Sequence, residues 1–178
     1  ETKEELLNSL NRFYTKEDQI KFGVVAINLN KKDNFTIEKD YISKIDSSDL
    51  IFSNIKDNYE NFDKWYLKLC KNKQECFFTK NDNKISSVMV LKINENDSQQ
   101  LNKKNLLKIR TFNILKKNNG IGSYYLKLID DIAKDYNIDI IYVTLKKDNI
   151  EFQKFIKKNN YIKFKELGDE YIFIKKRK

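Results

Sequence analysis

Histidine and proline are absent from this chain of 178 residues, and glycine, arginine and cysteine are scarce. Without histidine there can be no Ser-His-Asp triad, no Cys-His pair and no histidine-ligated metal. Catalysis, if the chain has any, must use carboxylates, tyrosines, backbone groups or a bound cofactor. The only cysteines, Cys70 and Cys76, have a spacing that fits neither a zinc site nor a disulfide framework. We therefore expect no metal, and reduced cysteines of a cytoplasmic protein.

Long apolar runs are also absent. The longest, "IDIIYVTL", has the length of a strand, far short of the ~20 residues that span a membrane. The first residues, "ETKEELLNSLNRF", are charged throughout and do not resemble a signal peptide. We expect no membrane partner. Because the chain begins with Glu1 rather than methionine, we also expect it to be a processed or excised piece of a longer protein.

The formal net charge of +9 comes from lysine, since the chain has 32 lysines and only three arginines. Together with 22 asparagines and 22 isoleucines, this is the bias of an AT-rich genome. Proteins that read phosphates and bases favour arginine for its bidentate fork. The charge therefore favours anionic partners in general, and nucleic-acid binding ranks last among the functions considered below.

Hydrophobic periodicity predicts a helix over residues 3–14, strands over 22–29 and 41–45, and two helices within 47–73. The second half has the clear order β-β-β-α-β-α-β-β. Its predicted strands cover 75–80, 85–93, 106–115, 138–146, 161–166 and 170–176, and its helices cover 120–136 and 149–159. In the last helix, Ile150 and Phe155 are predicted to face inward, with Phe152 and Ile156 as further candidates for that face. This order indicates a mixed sheet with helices on its faces.

Two of the four glycines, Gly120 and Gly122, lie where a predicted strand gives way to a helix. The free N–H groups and dipole of a helix N-terminus favour anions, and glycine lets the backbone approach a phosphate closely. The stretch is not a P-loop, and Tyr125 occupies the third glycine position of a dinucleotide fingerprint. Taken alone, it is best interpreted as a plain turn at the start of a helix.

The sequence "KNNGIG" (117–122) resembles the pyrophosphate loop Q/R-x-x-G-x-G/A of the GCN5-related N-acetyltransferases (GNATs), with Lys117 in the Gln/Arg place. That family's next landmark is N-x-x-A-x-x-hydrophobic-Tyr-x-K-x-G-F. Here Asn149 opens the motif, and Phe155, Lys158 and Tyr161 fall in register. The segment "DSSDLIFSNIKDNYENFDKWYLK", followed by the predicted hairpin at 75–94, resembles a bacterial subgroup of uncharacterised acetyltransferases. The resemblance as a whole covers roughly residues 36–178.

This resemblance implies an α/β (α+β) fold with a mixed, mostly antiparallel central sheet flanked by helices. A splay is expected between the fourth and fifth core strands, the predicted strands at 106–115 and 138–146. It also implies an acetyltransferase-like domain over residues 35–178, preceded by an extension over 1–34 of unknown role, which is a helix with a possible strand.

The resemblance further implies acetyl-CoA as cosubstrate and no metal. Backbone groups of Phe112, Asn113 and Ile114 would pair with the pantetheine arm, which Asn149 would also approach. The pyrophosphate would be held by Lys117, Asn118, Asn119, Gly120, Ile121, Gly122 and Ser123. The family's reaction is direct attack of a neutral primary amine on the thioester in a ternary complex, with a tyrosine as the usual acid. This chain has Ile156 at that tyrosine's position.

Three alternatives follow for the missing acid: another hydroxyl replaces it, solvent protonates the thiolate, or the domain binds an acyl-CoA without turnover. Tyr142 and Tyr161 are candidate acids and Glu95 is a candidate base, although buried tyrosines usually belong to the core and loop carboxylates are usually only solvated. The first hypothesis is thus an N-acetyltransferase whose acceptor, a small molecule or a protein, is unknown. The second is a non-catalytic acyl-CoA-binding or sensing module, and the third is a nucleic-acid-associated basic domain.

Overall fold

A computed structural model describes residues 24–26, 36–58, 60–93, 105–115 and 120–177. The predicted helix at 3–14 lies outside these residues. The described chain contains eight strands, which are β1 (Val24–Ala26), β2 (Thr36–Tyr41), β3 (Glu75–Asn81), β4 (Lys84–Ile93), β5 (Leu106–Ile114), β6 (Ile140–Lys146), β7 (Ile162–Leu167) and β8 (Glu170–Lys176). Its four α-helices are α1 (Ser53–Asn58), α2 (Phe62–Lys71), α3 (Ile121–Asp135) and α4 (Ile150–Lys158).

The chain divides into two compact units. The first unit comprises Glu1–Val90 and Phe112–Tyr124, and the second comprises Leu91–Thr111 and Tyr125–Lys178. Strands β4 and β5 and helix α3 each pass from one unit into the other along the chain.

In the first unit the strand order is β1-β2-β3-β4, followed by the end of β5. The ladders from β1 to β4 are all antiparallel. Strands β3 and β4 form a hairpin whose two turn residues, Asp82 and Asn83, have φ of 51° and 63°. Two positive φ values in a row give the turn whose twist matches the flanking strands.

Helix α2 and the 3-10 turn Leu50–Phe52 before α1 supply the aromatic half of this unit's core. Phe52 and Phe62 are buried and lie with Trp65 and Tyr66 in a cluster whose ring centroids are 5.5 to 6.5 Å apart. The cluster packs with buried residues of β3 and β4, among them Phe78 and Val88.

The predicted strand over 41–45 is wrong. Ile42–Lys44 form a 3-10 turn, and the strand lies just before it, as β2. Ile42 and Ile45 are both buried, and residues three apart lie on one side of a 3-10 turn. The pattern of apolar and polar residues that predicted a strand is therefore explained by two buried isoleucines three positions apart.

In the second unit the strand order is β5-β6-β8-β7. Strand β5 pairs with β6 in parallel, whereas β6 with β8 and β8 with β7 pair antiparallel. The parallel ladder joins Leu106–Ile109 to Ile140–Val143. It stops three residues before the end of β6, as a splay between these strands requires. The predicted fold class, a mixed and mostly antiparallel sheet with helices, is confirmed.

Helices α3 and α4 pack on the face of the second unit's sheet that carries Phe173 and Lys175. Lys175 Nζ lies 2.9 Å from the carboxylate of Asp130 on α3, and Lys157 Nζ of α4 lies 5.7 Å from the ring centroid of Phe173. Contrary to prediction, Ile150 at the start of α4 is 58% exposed. Ile156, a further candidate for the inward face, is fully buried.

None of the helices in the described ranges combines the length and apolar character needed to cross a bilayer. The predicted boundary between an extension over 1–34 and a domain over 35–178 stays a prediction. Strand β1 lies within the predicted strand at 22–29 and pairs with β2.

Candidate functional site

The glycine turn lies at the N-terminus of α3, in the first unit. Gly120 has a φ of +84°, in the left-handed region that favours glycine, and its carbonyl oxygen accepts a hydrogen bond from Tyr124 N at 3.4 Å. This bond makes Gly120 the residue from which the helix starts. Gly122 and Ser123 lie in the first turn, where backbone N–H groups have no partner within the helix.

Two further properties of this helix start suit an anion. The first turn of α3 contains no acidic residue, so no carboxylate of that turn competes for its N–H groups. Gly120 and Gly122 are half-buried and Ser123 is exposed, so the turn is accessible from outside. Three other predicted members of the pyrophosphate site, Lys117, Asn118 and Asn119, lie outside the described residues.

The end of β5 supplies the second group of predicted residues. Phe112, Asn113 and Ile114 are each half-buried, whereas Leu107 and Ile109 earlier in the strand are buried. Leu115 N, directly after β5, donates to Ser86 O of β4 at 2.9 Å. Peptide groups alternate in direction along a strand, so those of Asn113 turn towards β4 and those of its two neighbours turn away.

The side chain of Asn113 has a separate use. Its Nδ2 donates to Ile51 O at 2.5 Å, and its Oδ1 lies 3.5 Å from Asn54 Nδ2. These bonds join the end of β5 to the segment that precedes and begins α1. Residues of the first unit that are about 60 positions apart in sequence are thereby brought together, and no local pattern could have shown this.

Asn149, in the second unit, is the N-cap of α4. Its side-chain oxygen accepts a hydrogen bond from Phe152 N at 3.3 Å, and its carbonyl accepts from Gln153 N at 3.2 Å. Since the cap uses the oxygen, a ligand contact would be made by the amide nitrogen. Its predicted place beside the pantetheine arm stays a prediction.

Gln153 is a buried residue that the sequence analysis missed. It is 7% exposed, and its Nε2 donates to the carbonyl oxygens of Lys146 and Lys147, each at 3.0 Å. It therefore fixes the chain between β6 and Asn149. A glutamine on a lysine-rich helix carries no signal in sequence that would distinguish it from a solvated residue.

No protein-family model matches the chain, and no curated protein matches it. Solved structures do. A GNAT-family acetyltransferase from Bacillus cereus is 18% identical, with a TM-score of 0.56 over 81% of this chain and 98% of that one. A GNAT-family acetyltransferase from Elizabethkingia anophelis, with acetyl-CoA bound, is 15% identical, with a TM-score of 0.56 over 82% of this chain and 99% of that one.

A third likeness is to the N-acetyltransferase PseH of Campylobacter jejuni in complex with acetyl coenzyme A. It is 17% identical, with a TM-score of 0.53 over 80% of this chain and 99% of that one. Identities this low establish the fold and nothing finer. The chain has the fold of the GCN5-related N-acetyltransferases.

On the GNAT fold, the second motif can be checked against the backbone. Asn160, at the glycine position of the motif, has a φ of 72°, the conformation that glycine would otherwise supply. Ile156, at the tyrosine position, is 0% exposed. The alignment of the second motif with residues 149–161 is therefore consistent with the backbone. The side chain at the motif's tyrosine position is an apolar part of the core.

The two candidate tyrosines are both buried, and they lie on opposite faces of the second unit's sheet. Tyr142 is 0% exposed and belongs to an apolar cluster with Ile174, its partner on β8. The ring of Tyr161, 2% exposed, lies under the ammonium of Lys175, the residue next to Ile174, which points the other way. Burial, and then the nearby charge of Asp130, raises the pKa of the Tyr161 hydroxyl.

Two buried hydroxyl oxygens of the second unit, those of Thr144 and Tyr161, have no hydrogen-bond partner in the described part of the chain. Thr144 is the first residue of β6 after the parallel ladder ends. A ligand or a water molecule would satisfy its hydroxyl. The candidate base Glu95 lies outside the described residues, and no cluster of metal-ligating side chains occurs among those that are described.

Proposed function

We propose that this chain binds acetyl-CoA and transfers its acetyl group to a primary amine. The observation that carries the proposal is the helix start at Gly120–Ser123, with its left-handed glycine and its acid-free first turn, on the GNAT fold. The likeness to solved GNAT structures that contain acetyl-CoA supports the same cosubstrate.

The residues present fit a diphosphate group. The N–H groups of Ile121, Gly122 and Ser123 are donors at the positive end of a helix of 15 residues, where an anion is favoured. We assign Lys117, Asn118 and Asn119 to the same site from the motif alone. A glycine at position 122 leaves the second of these N–H groups without a side chain beside it, so phosphate oxygens can come close.

The half-buried end of β5 would hold the acyl arm. Its backbone at Phe112 and Ile114 turns away from β4, which is the direction a ligand needs in order to pair with a strand. We assign Asn149 to the same arm from the motif alone. When bound, acetyl-CoA supplies an activated thioester; the chain's own residues orient it and exclude water.

The experiment that tests the proposal is calorimetric titration of acetyl-CoA into the purified chain and into Gly122→Glu. The added carboxylate should abolish binding through sterics and repulsion at the helix start. Leu67→Glu is the matched control, because Leu67 is 64% exposed on α2 of the same unit and receives the same charge. Equal affinities for all three proteins, or no binding to the wild type, would refute the proposal.

A second function, a non-catalytic acyl-CoA sensor, is favoured by one observation. Ile156 stands where the family's acid stands, and both tyrosine candidates, Tyr142 and Tyr161, are buried in the core. Release of free coenzyme A across a panel of amines separates the two functions. Turnover supports the enzyme, with Tyr142, Tyr161 and Glu95 as the residues to replace first, and binding without turnover supports the sensor.

A pair of substitutions makes this test sharper. Ile156→Tyr restores a hydroxyl at the family's position, and Ile156→Phe adds the same ring without it. Both variants overpack a buried site, at a cost of about 1–3 kcal/mol. A rate that rises only in the tyrosine variant would show that the missing acid limits turnover.

A further inference from the structure

The side chain of Asn113 makes two hydrogen bonds to one segment of the first unit. It donates to the carbonyl of Ile51 at 2.5 Å, and its oxygen lies 3.5 Å from the amide nitrogen of Asn54. An asparagine amide has a donor end and an acceptor end. Since both ends point to the segment around α1, the side chain is engaged by the protein itself.

The segment that Asn113 holds is anchored by its own hydrogen bonds and by burial. The carboxylate of Asp49 accepts a hydrogen bond from Ile51 N at 2.9 Å, and Asp49 O accepts one from Phe52 N at 3.1 Å. Ile51 and Phe52 are both 0% exposed, and the ring of Phe52 contacts the aromatic cluster. The end of β5 is therefore fastened to a part of the core that cannot move without disrupting the packing.

We infer that Asn113 is a positioning residue: its side chain fixes the end of β5 so that the peptide groups of Phe112 and Ile114 meet the acyl arm of acetyl-CoA, which the side chain itself does not touch. This inference rests on the proposed function. Under this inference, binding of the acyl arm of the cosubstrate depends on β5, whereas binding of the nucleotide depends on the helix start at Gly120–Ser123.

The test compares two ligands: acetyl-CoA, and the phosphoadenosine diphosphate half of coenzyme A, which lacks the arm. Asn113→Asp keeps the shape and the acceptor but loses the donor, and Asn113→Leu keeps the volume alone. Either change should lower the affinity for acetyl-CoA about tenfold, a loss of about 1.4 kcal/mol of binding free energy. The affinity for the nucleotide half should fall less than about twofold. Asn61→Asp is the matched control, since Asn61 is exposed in the same unit and its side chain makes no capping bond.

The outcomes are distinguishable. If the wild type binds neither ligand, the proposed function fails. If the wild type binds both and the Asn113 variants match it, or lose both ligands equally, the positioning role is refuted. Thermal melting identifies variants that do not fold. Asn113→Ser, which keeps a short donor, then replaces them in the same comparison of the two ligands. A purely structural role would lower the melting temperature without separating the two ligands.

Discussion

Gly120 gives the sharpest test of why glycine stands at the helix start. Its φ is +84°, and other positive-φ positions of this asparagine-rich chain are filled by Asn83, Asn137 and Asn160, with φ of 63°, 53° and 72°. Asparagine adopts this conformation more readily than other residues with a side chain. If conformation alone mattered at position 120, asparagine should serve there as it does elsewhere in the chain.

The comparison of Gly120→Ala with Gly120→Asn separates conformation from space. A left-handed alanine costs about 1–2 kcal/mol. In a chain of this size that cost lowers the melting temperature by roughly 2–8 °C, at about 2–4 °C per kcal/mol. Asparagine should cost less than half of that. We expect both variants to lose acetyl-CoA affinity, because any side chain obstructs the approach of the pyrophosphate.

The assays are thermal melting and calorimetric titration of the same samples. Loss of affinity in Gly120→Asn with nearly unchanged melting would show that glycine is needed for ligand approach. An asparagine variant with wild-type stability and wild-type affinity would refute the reasoning. Gly122→Ala is the complement: it should raise helix stability by up to about 1 kcal/mol and still weaken binding.

Three further predictions concern the packing. Tyr161→Phe removes a buried hydroxyl that has no partner among the described residues. In chemical unfolding, the variant should have an unchanged free energy of unfolding or one higher by about 1–3 kcal/mol. A lower free energy of unfolding would contradict the view that this hydroxyl is buried without a partner. Gln153→Leu should cost about 1–3 kcal/mol, because it strips the carbonyls of Lys146 and Lys147 of a buried donor, and a neutral result in urea unfolding would refute that role. Burial, with Asp40 and Glu75 nearby, raises the pKa of Cys76 from 9.0 to about 12. As pH rises, the thiol therefore ionises first in the unfolded chain. Between these two pKa values, the free energy of unfolding should fall by up to about 1.4 kcal/mol per pH unit. In Cys76→Ala this fall should be smaller.

Much of the fold was predictable, because each element of the second half has a single strong periodicity. The last strand, β8, coincides with its predicted range, and the hairpin turn at Asp82 and Asn83 lies between the predicted strands at 75–80 and 85–93. The 3-10 turn at Ile42–Lys44 was missed, since five residues cannot distinguish a period of two from a spacing of three.

The helix start at Gly120 was predictable because two glycines lie between a predicted strand and a predicted helix, whereas the contacts around it were not. The bond from Asn113 to Ile51 depends on tertiary packing, and Gln153 acquires its role only when β6 and α4 come together. Ile150 was expected inside from its apolar side chain. The cap at Asn149 sets where the helix begins and leaves Ile150 largely exposed.

A crystal structure of the chain grown with acetyl-CoA tests the central claim most directly. The account predicts pyrophosphate oxygens at about 2.9 Å from the backbone nitrogens of residues 121–123, and the pantetheine arm along Phe112–Ile114. Density for the coenzyme elsewhere on the chain, or none at a saturating concentration, would contradict it.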